Sequence, residues 1–565
     1  MDNQRLFLYA ALGLISLVLW QQWQFDYNSP TQPQTSQNSS VQNTQQPNNN
    51  PATAGNTSDG NIPTAPQPTS ANSQQNNDLP KNINNNAVDN SNNIKVLTDL
   101  FEVSISPVGG TIQEIKLKKY PVTVKDKNNV LKLMTTDPIN FFIAQSGLSS
   151  ASKDLPAPAH TEQYQTDNNS YILQDNQDTI SVPLKWQKNG IEVVKTYVFK
   201  KDSYQIESHH TIKNNTNKPF NVSQYHQLQR VLNEDKQSGF LYTYTGGVLY
   251  NANDKYQKVD FDEFSSNQNQ TNKDGWLAMI EHYFLAAWLP VEDETNTYYT
   301  KTINNNNPRY ILGKISQSYV IPANTAKTLK STLYAGPKIQ KRLEQAPVKD
   351  LKLTVDYGIL TIIADPIFWV LDKIHSFVGN WGWSIVLITI LIKLLLYKLS
   401  ATSYRSMAKM KKLAPKIQSL KNRYGDDKQK MGVAQMELFK KEKVNPLGGC
   451  LPVVAQIPVF IALYWVLLET VELRQAPFML WITDLSAKDP YFVLPITMGI
   501  TMFLQQKLNP APADPMQQKL FMALPFVFTV FFAFFPAGLV LYWLMNNVIS
   551  IAQQYYITRG ILNTK

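Results

Sequence analysis

The stretch WGWSIVLITILIKLLLYKL, residues 381–399, decides the fold class. It is apolar almost throughout, and Lys393 is the cation that interrupts it. About 20 apolar residues cross a bilayer as one helix, so the stretch predicts a transmembrane span. A charge at the centre of such a span costs about 2.5–3.5 kcal/mol. Thr389 and Tyr397 lie four residues to either side, which gives this helix a polar face. Lys393 stands close enough to the end of the run to snorkel to the interface. The same cation among polar neighbours equally suits a hydrated groove, and the residues alone leave both readings open.

Working outward, four more apolar stretches follow at residues 447–468, 491–508, 520–535 and 538–556. In the last of them Tyr542, Asn546, Ser550 and Gln553 recur at steps of four, four and three, with Trp543 beside them. Gln456 places an amide within 447–468. Buried polar side chains need partners or water. Polar stripes on several spans therefore predict one shared groove, lined by Lys393, Thr389, Gln456, Tyr542, Trp543, Asn546, Ser550 and Gln553.

Upstream, residues 1–24 carry an apolar run behind Arg5 that exits through LWQQWQF. Cleavage by signal peptidase needs small residues at such an exit, so this segment predicts an uncleaved anchor and a sixth span. Residues 25–93 are mostly Asn, Gln, Ser, Thr and Pro, too polar to offset their conformational entropy, and predict a disordered linker. Residues 94–345 alternate apolar and polar positions between Gly, Pro and Asn clusters, as in FEVSISPVGGTIQEIKL and IEVVKTYVFK. That period predicts a large all-β sandwich. Within 351–377 an apolar run of about 14 residues is too short to span. Interrupted by Asp365-Pro366, it predicts an amphipathic helix along the interface. The expected architecture is a membrane α-helical bundle of six spans, the anchor plus a five-helix core within 381–556, carrying an exported all-β sandwich domain.

Charge sets the orientation. Residues 399–446 are rich in Lys and Arg, whereas 469–489 hold only Arg474 and Lys488 as bases. The positive-inside rule puts the first loop in the cytoplasm and the second outside. An even number of spans then leaves both termini cytoplasmic, including the short tail 557–565. The basic loop has its own pattern. Met410, Leu413, Ile417, Leu420 and Tyr424 form an apolar stripe at helical spacing, and Asp426 and Asp427 follow a break suited to capping a second helix. An αα-hairpin over 400–445 is expected, acting as a solvated spacer or as a capture device for incoming chains or targeting machinery.

The formal net charge of +10 is concentrated beside apolar segments, between residues 398 and 443, which argues for membrane topology over specific nucleic-acid binding. Cys450 is the one cysteine, so no intrachain disulfide or cysteine metal cluster is available. The six histidines form no H-E-x-x-H pair, and neither a phosphate-binding glycine loop nor a G-x-S-x-G elbow occurs. No catalytic residue, cofactor or metal ligand is expected.

The stretches SMAKMKKLAPKIQSLKNRYGDDKQKM, KVNPLGGCLP, VELRQAPFMLWITDLSAKDPYF, DPMQQK and FFPAGLVLYW resemble the YidC family of Gram-negative inner-membrane insertases, which includes mitochondrial and chloroplast members. They cover nearly all of 380–558, and the opening MDNQRLF is similar too. The resemblance implies a periplasmic β-supersandwich and five core helices around a groove open to cytoplasm and lipid. It also implies a positive charge in that groove, usually Arg, whose position Lys393 occupies. Such a protein inserts and chaperones membrane proteins without ATP, alone or beside the Sec translocon. Nascent membrane proteins, the Sec translocon and the lipid bilayer would be its partners, with the ribosome and signal recognition machinery meeting the hairpin. Two rivals remain on the residues alone. A transporter or channel with a periplasmic binding domain predicts inverted repeats, and none is convincing here. An anchored carbohydrate enzyme leaves the C-terminal half unexplained.

Overall fold

The computed structural model describes residues 92–152, 154–233, 243–266, 270–291, 293–304, 307–425, 427–442, 444, 451–509 and 515–563. The expected anchor at 1–24, the linker as far as Ser91, and Asp426 lie outside the described residues. Two compact units divide the rest, one ending at Thr354 and the other beginning at Val355.

The first unit is a two-sheet sandwich. An eight-stranded sheet runs through strands 255–259, 246–251, 276–280, 284–289, 325–337, 205–214, 191–200 and 179–188. An eleven-stranded sheet faces it, with strands 220–231, 142–149, 111–121, 101–106 and 94–97 along its path. Pairing is antiparallel except where Ile94–Leu97 meets Ser170–Ile172. Ile191–Lys200 shows why the period was legible, since every second residue is buried along its length until Lys200. The unit extends past the expected end at 345, because a helical turn at Gln340–Glu344 and a 3-10 turn at Leu351–Thr354 close it. Lys338 Nζ donates to Thr354 O at 3.1 Å there.

The sheets are joined by polar side chains as well as by apolar burial. Lys195 is fully buried, and its Nζ donates to Gly109 O, Gly110 O and Ser146 O across the sandwich at 2.8, 3.2 and 2.9 Å. Gly109 and Gly110 both have positive φ, and a Cβ on Gly109 would stand 2.1 Å from His160 O. Only glycine fits that turn. Buried histidines surround the pin. His160 Nδ1 faces Tyr225 Oη at 2.7 Å, and that hydroxyl also accepts from the His160 backbone N–H. Gln224 donates to His210 Nδ1 at 2.8 Å, while His226 packs on Trp288.

Burial first, and the nearby Lys195 ammonium second, push His160 down to about 4. Burial likewise holds His210 and His226 well below the usual range. An unfolded chain takes up protons at these rings near pH 6.5, whereas the folded unit resists them. Their contribution is therefore complete above about pH 6.5 and lost as pH falls toward 4. His160 alone accounts for about 3 kcal/mol over that window. The denaturation midpoint of the full-length protein, followed from pH 7.5 to 4.5, should fall steeply below 6.5. A flat profile would contradict protonation as the cause.

The second unit is helical. Its helices are α1 (Thr361–Val378), α2 (Trp381–Leu395), α3 (Tyr397–Tyr424), α4 (Lys428–Lys441), α5 (Leu451–Glu469), α6 (Val493–Leu508), α7 (Pro515–Phe532) and α8 (Ala537–Asn563). A helix lies on each of the five stretches expected to span. By length and hydropathy, no single described helix is long and apolar enough to cross a membrane; α2 and α3 pass that test together, bent by 68°. Helix α1, on the stretch expected to lie along the interface, starts later than residue 351 and runs through Asp365-Pro366 without a break. Ile362, Trp369 and Phe377 are exposed on it, while Ala364, Ile367, Phe368 and Leu371 are buried. Gly379, at φ 69°, ends it by donating to His375 O. Helix α2 then starts under an Asn380 cap on Trp383 N. Helix α8 packs against α2, α3 and α6 and is the central post of the unit.

Candidate functional site

Three helices bring their polar residues to one point. Lys393 on α2 is 4% exposed, and its Nζ donates to Ser550 Oγ of α8 at 2.8 Å and to Gln456 Oε1 of α5 at 3.2 Å. Ser550 passes its own proton to Asn546 O at 2.6 Å. Gln456 Nε2 donates to Asn546 Oδ1 and, at 3.5 Å, to Tyr542 Oη. Tyr542, Asn546 and Ser550 are buried. Among the described residues no Asp or Glu pairs with Lys393, whose contacts are neutral oxygens. Neutral oxygens solvate the ammonium without cancelling its charge, and burial strengthens its attraction for an opposite charge arriving there.

The other expected groove residues are placed differently. Thr389 is buried one turn before Lys393, but its hydroxyl donates to Ile385 O at 2.6 Å within its own helix. Tyr397 does not extend that face, because α2 ends at Leu395 and Tyr397 opens the bent helix α3, 41% exposed. Trp543 belongs to an aromatic cluster, with ring centroids 4.7 Å from Phe460 and 5.5 Å from Phe532. Gln553 is half-buried, and its Oε1 has no hydrogen-bond partner among the described residues.

The sequence reading missed four residues. Tyr404 on α3 is buried beside Ser550, so the hairpin's first helix reaches the same cluster. Asn547 and Gln554, seven residues apart on α8, form a second polar seam toward α6. They donate to Thr501 Oγ1 at 3.4 Å and, just beyond the helix end, to Asn509 Oδ1 at 3.0 Å. Their i, i+7 spacing was the available signal. Asp489, read only as part of an outer loop, is buried and accepts from Leu494 N, Tyr491 N and Trp481 Nε1. It caps α6 from the loop side.

The hairpin closes on Leu413, Phe439 and Val444, with Met410 and Ile417 packed against them and Leu420 half-buried. Asp427 accepts from Gln429 N and Lys430 N and caps α4. Lys416 and Glu442 pair across the two helices at 2.6 Å. Its first helix begins at Tyr397, ahead of the expected residue 400.

Residues 373–564 match the family model described as 60Kd inner membrane protein, and residues 93–370 match the YidC periplasmic domain. The membrane protein insertase YidC of Methylococcus capsulatus is 45% identical over 99% of both chains. That of Alkalilimnicola ehrlichii is 47% identical over 99% of this chain and 96% of its own. This chain belongs to the YidC family. A solved YidC insertase with its first transmembrane domain resolved is similar over 82% of this chain and 92% of that one, at 16% identity and a TM-score of 0.38.

YidC-family membership makes this an inner-membrane chain with a periplasmic β-sandwich domain and a helical C-terminal part. The family is one of insertases, not of enzymes, and the transporter reading finds no support in it. Among the described residues, no group of three or more His, Cys, Asp or Glu could hold a metal ion.

Proposed function

We propose that this chain inserts and folds integral membrane proteins in the bacterial inner membrane, alone or beside the Sec translocon, through a hydrated groove charged by Lys393. The observation that carries this reading is a buried cation whose partners among the described residues, on α5 and α8, are neutral. A client's short acidic segment supplies the missing negative charge, and water in the groove shortens its path through hydrocarbon. Exposed apolar side chains flank that route, with Val454 and Ile457 on α5 and Phe526, Val527 and Val530 on α7. The client's apolar segment slides along such surfaces into lipid, and its burial there drives release.

The remaining arrangement follows from charge. Helices α2, α5, α6, α7 and α8 cross the membrane and residues 1–24 add a sixth span, with local thinning of the bilayer accommodating the short helices. Both termini and the α3–α4 hairpin face the cytoplasm, where the hairpin meets incoming chains, the ribosome or the signal recognition machinery. The β-sandwich faces the periplasm. Proteoliposomes containing this protein alone should insert a single-span client with an acidic head, leaving that head protease-protected in the lumen. Insertion no better than in empty liposomes would overturn the proposal.

A further inference from the structure

Resting on the reading of Lys393 as the charge that meets a client's acidic segment, we propose that Gln456 is the neutral partner that keeps that charge available. Its amide is a neutral placeholder, locked by Asn546 and Tyr542, which a client carboxylate displaces. An amide has one acceptor oxygen and a two-donor nitrogen. Both donors of Gln456 are taken by α8, at Asn546 Oδ1 and Tyr542 Oη, which leaves Oε1 turned to Lys393 Nζ at 3.2 Å. A flipped amide would set its NH2 against the ammonium and its oxygen against the Asn546 carbonyl, two repulsive contacts in place of two attractive ones. Asn546 and Tyr542 thus act on Lys393 through Gln456.

The neutrality of this partner matters. A carboxylate makes a charge-assisted bond to an ammonium about twice as strong as a neutral oxygen does. An arriving acidic segment therefore outcompetes Gln456. A resident glutamate would not yield, because the client would have to break a buried ion pair. The three helices are joined by bonds weak enough to exchange, and Lys393 remains satisfied between clients.

The test uses the full-length protein in proteoliposomes with two clients that differ only in an acidic or a neutral head, read as the ratio of their insertion. Gln456→Glu should lower that ratio about tenfold while raising the melting temperature in detergent, since the buried cation gains a counter-ion. Gln456→Met, similar in length but unable to accept, should keep the ratio within about threefold of wild type. A wild-type ratio in Gln456→Glu would overturn the proposal, and so would equal losses in the Glu and Met variants. If Gln456→Met fails to fold, the paired signs in Gln456→Glu decide: a lower ratio with a lower melting temperature marks mere disruption and overturns it. Lys393→Glu in the same assay separates the two levels. A wild-type ratio there defeats the groove-charge reading itself, whereas loss there with no loss in Gln456→Glu defeats only the role given to Gln456.

Discussion

Lys393→Glu should abolish insertion of acidic-headed clients while Lys393→Arg retains it. At about 4 Å and an effective dielectric near 20, two unit charges interact by about 4 kcal/mol, so reversing the sign turns a strong attraction into an equal repulsion. A loss of about a hundredfold or more follows even if water screens much of that interaction. Lys393→Ala should fall between the two, because it removes the attraction without putting a repulsion in its place. Neutral-headed clients should be affected far less by all three changes. The comparison requires equal protein levels in the membrane, since an unpaired buried carboxylate also destabilises the bundle. If the residue only anchored α2 at the interface, solvation alone would matter and Glu would serve as well as Arg. Equal insertion of an acidic-headed client by the Arg and Glu variants would leave Lys393 as such an anchor.

The position of this charge was legible because a lysine in an apolar run has few bland explanations. Its partners were legible only in part. The step of four from Tyr542 through Asn546 to Ser550 falls on the face of α8 that meets Lys393, and the amide of Gln456 reaches the same point from α5. Thr389 shares the helix face, yet a buried threonine can bond back to the preceding turn, and this one does. Nothing in LLLYKLS announces the break at Leu396, since no Gly or Pro marks it. The bend is a product of tertiary packing, with α3 resting on α8. The β-sandwich was legible at the level of period and class, because alternation reports a half-buried strand directly. Its pairing order was not, as strands 205–214 and 325–337 meet across more than a hundred intervening residues. Nor did the sequence single out Lys195, which sits in the regular alternation of IEVVKTYVFK at a buried position that the pattern reserves for an apolar side chain.

Lys195→Met should be the most damaging single change within the β-sandwich. Methionine fills the space without donating, so Gly109 O and Ser146 O lose the hydrogen bond that Lys195 gives each of them, while Gly110 O keeps Tyr197 Oη at 2.6 Å. Each buried carbonyl left unpaired costs about 1–3 kcal/mol. A total of about 2–6 kcal/mol is a large share of the 5–15 kcal/mol typical of a domain. The turn has little room to adjust, because Gly109 lies against His160 and a shift there would disturb the Tyr225 contact as well. Lys116→Met is the natural contrast: its ion pair with Glu102 is short, at 2.6 Å, but lies at the surface. Screening and side-chain entropy leave such pairs worth less than about 1 kcal/mol. Pulse proteolysis of the full-length protein across a urea series would read both. The Lys195 variant should be cleaved within the sandwich at a clearly lower urea concentration, and the Lys116 variant close to wild type. Coincident midpoints for the two variants would mean that the Gly109 and Ser146 carbonyls find other donors once Lys195 is gone, and that the sheets are held together by apolar burial alone.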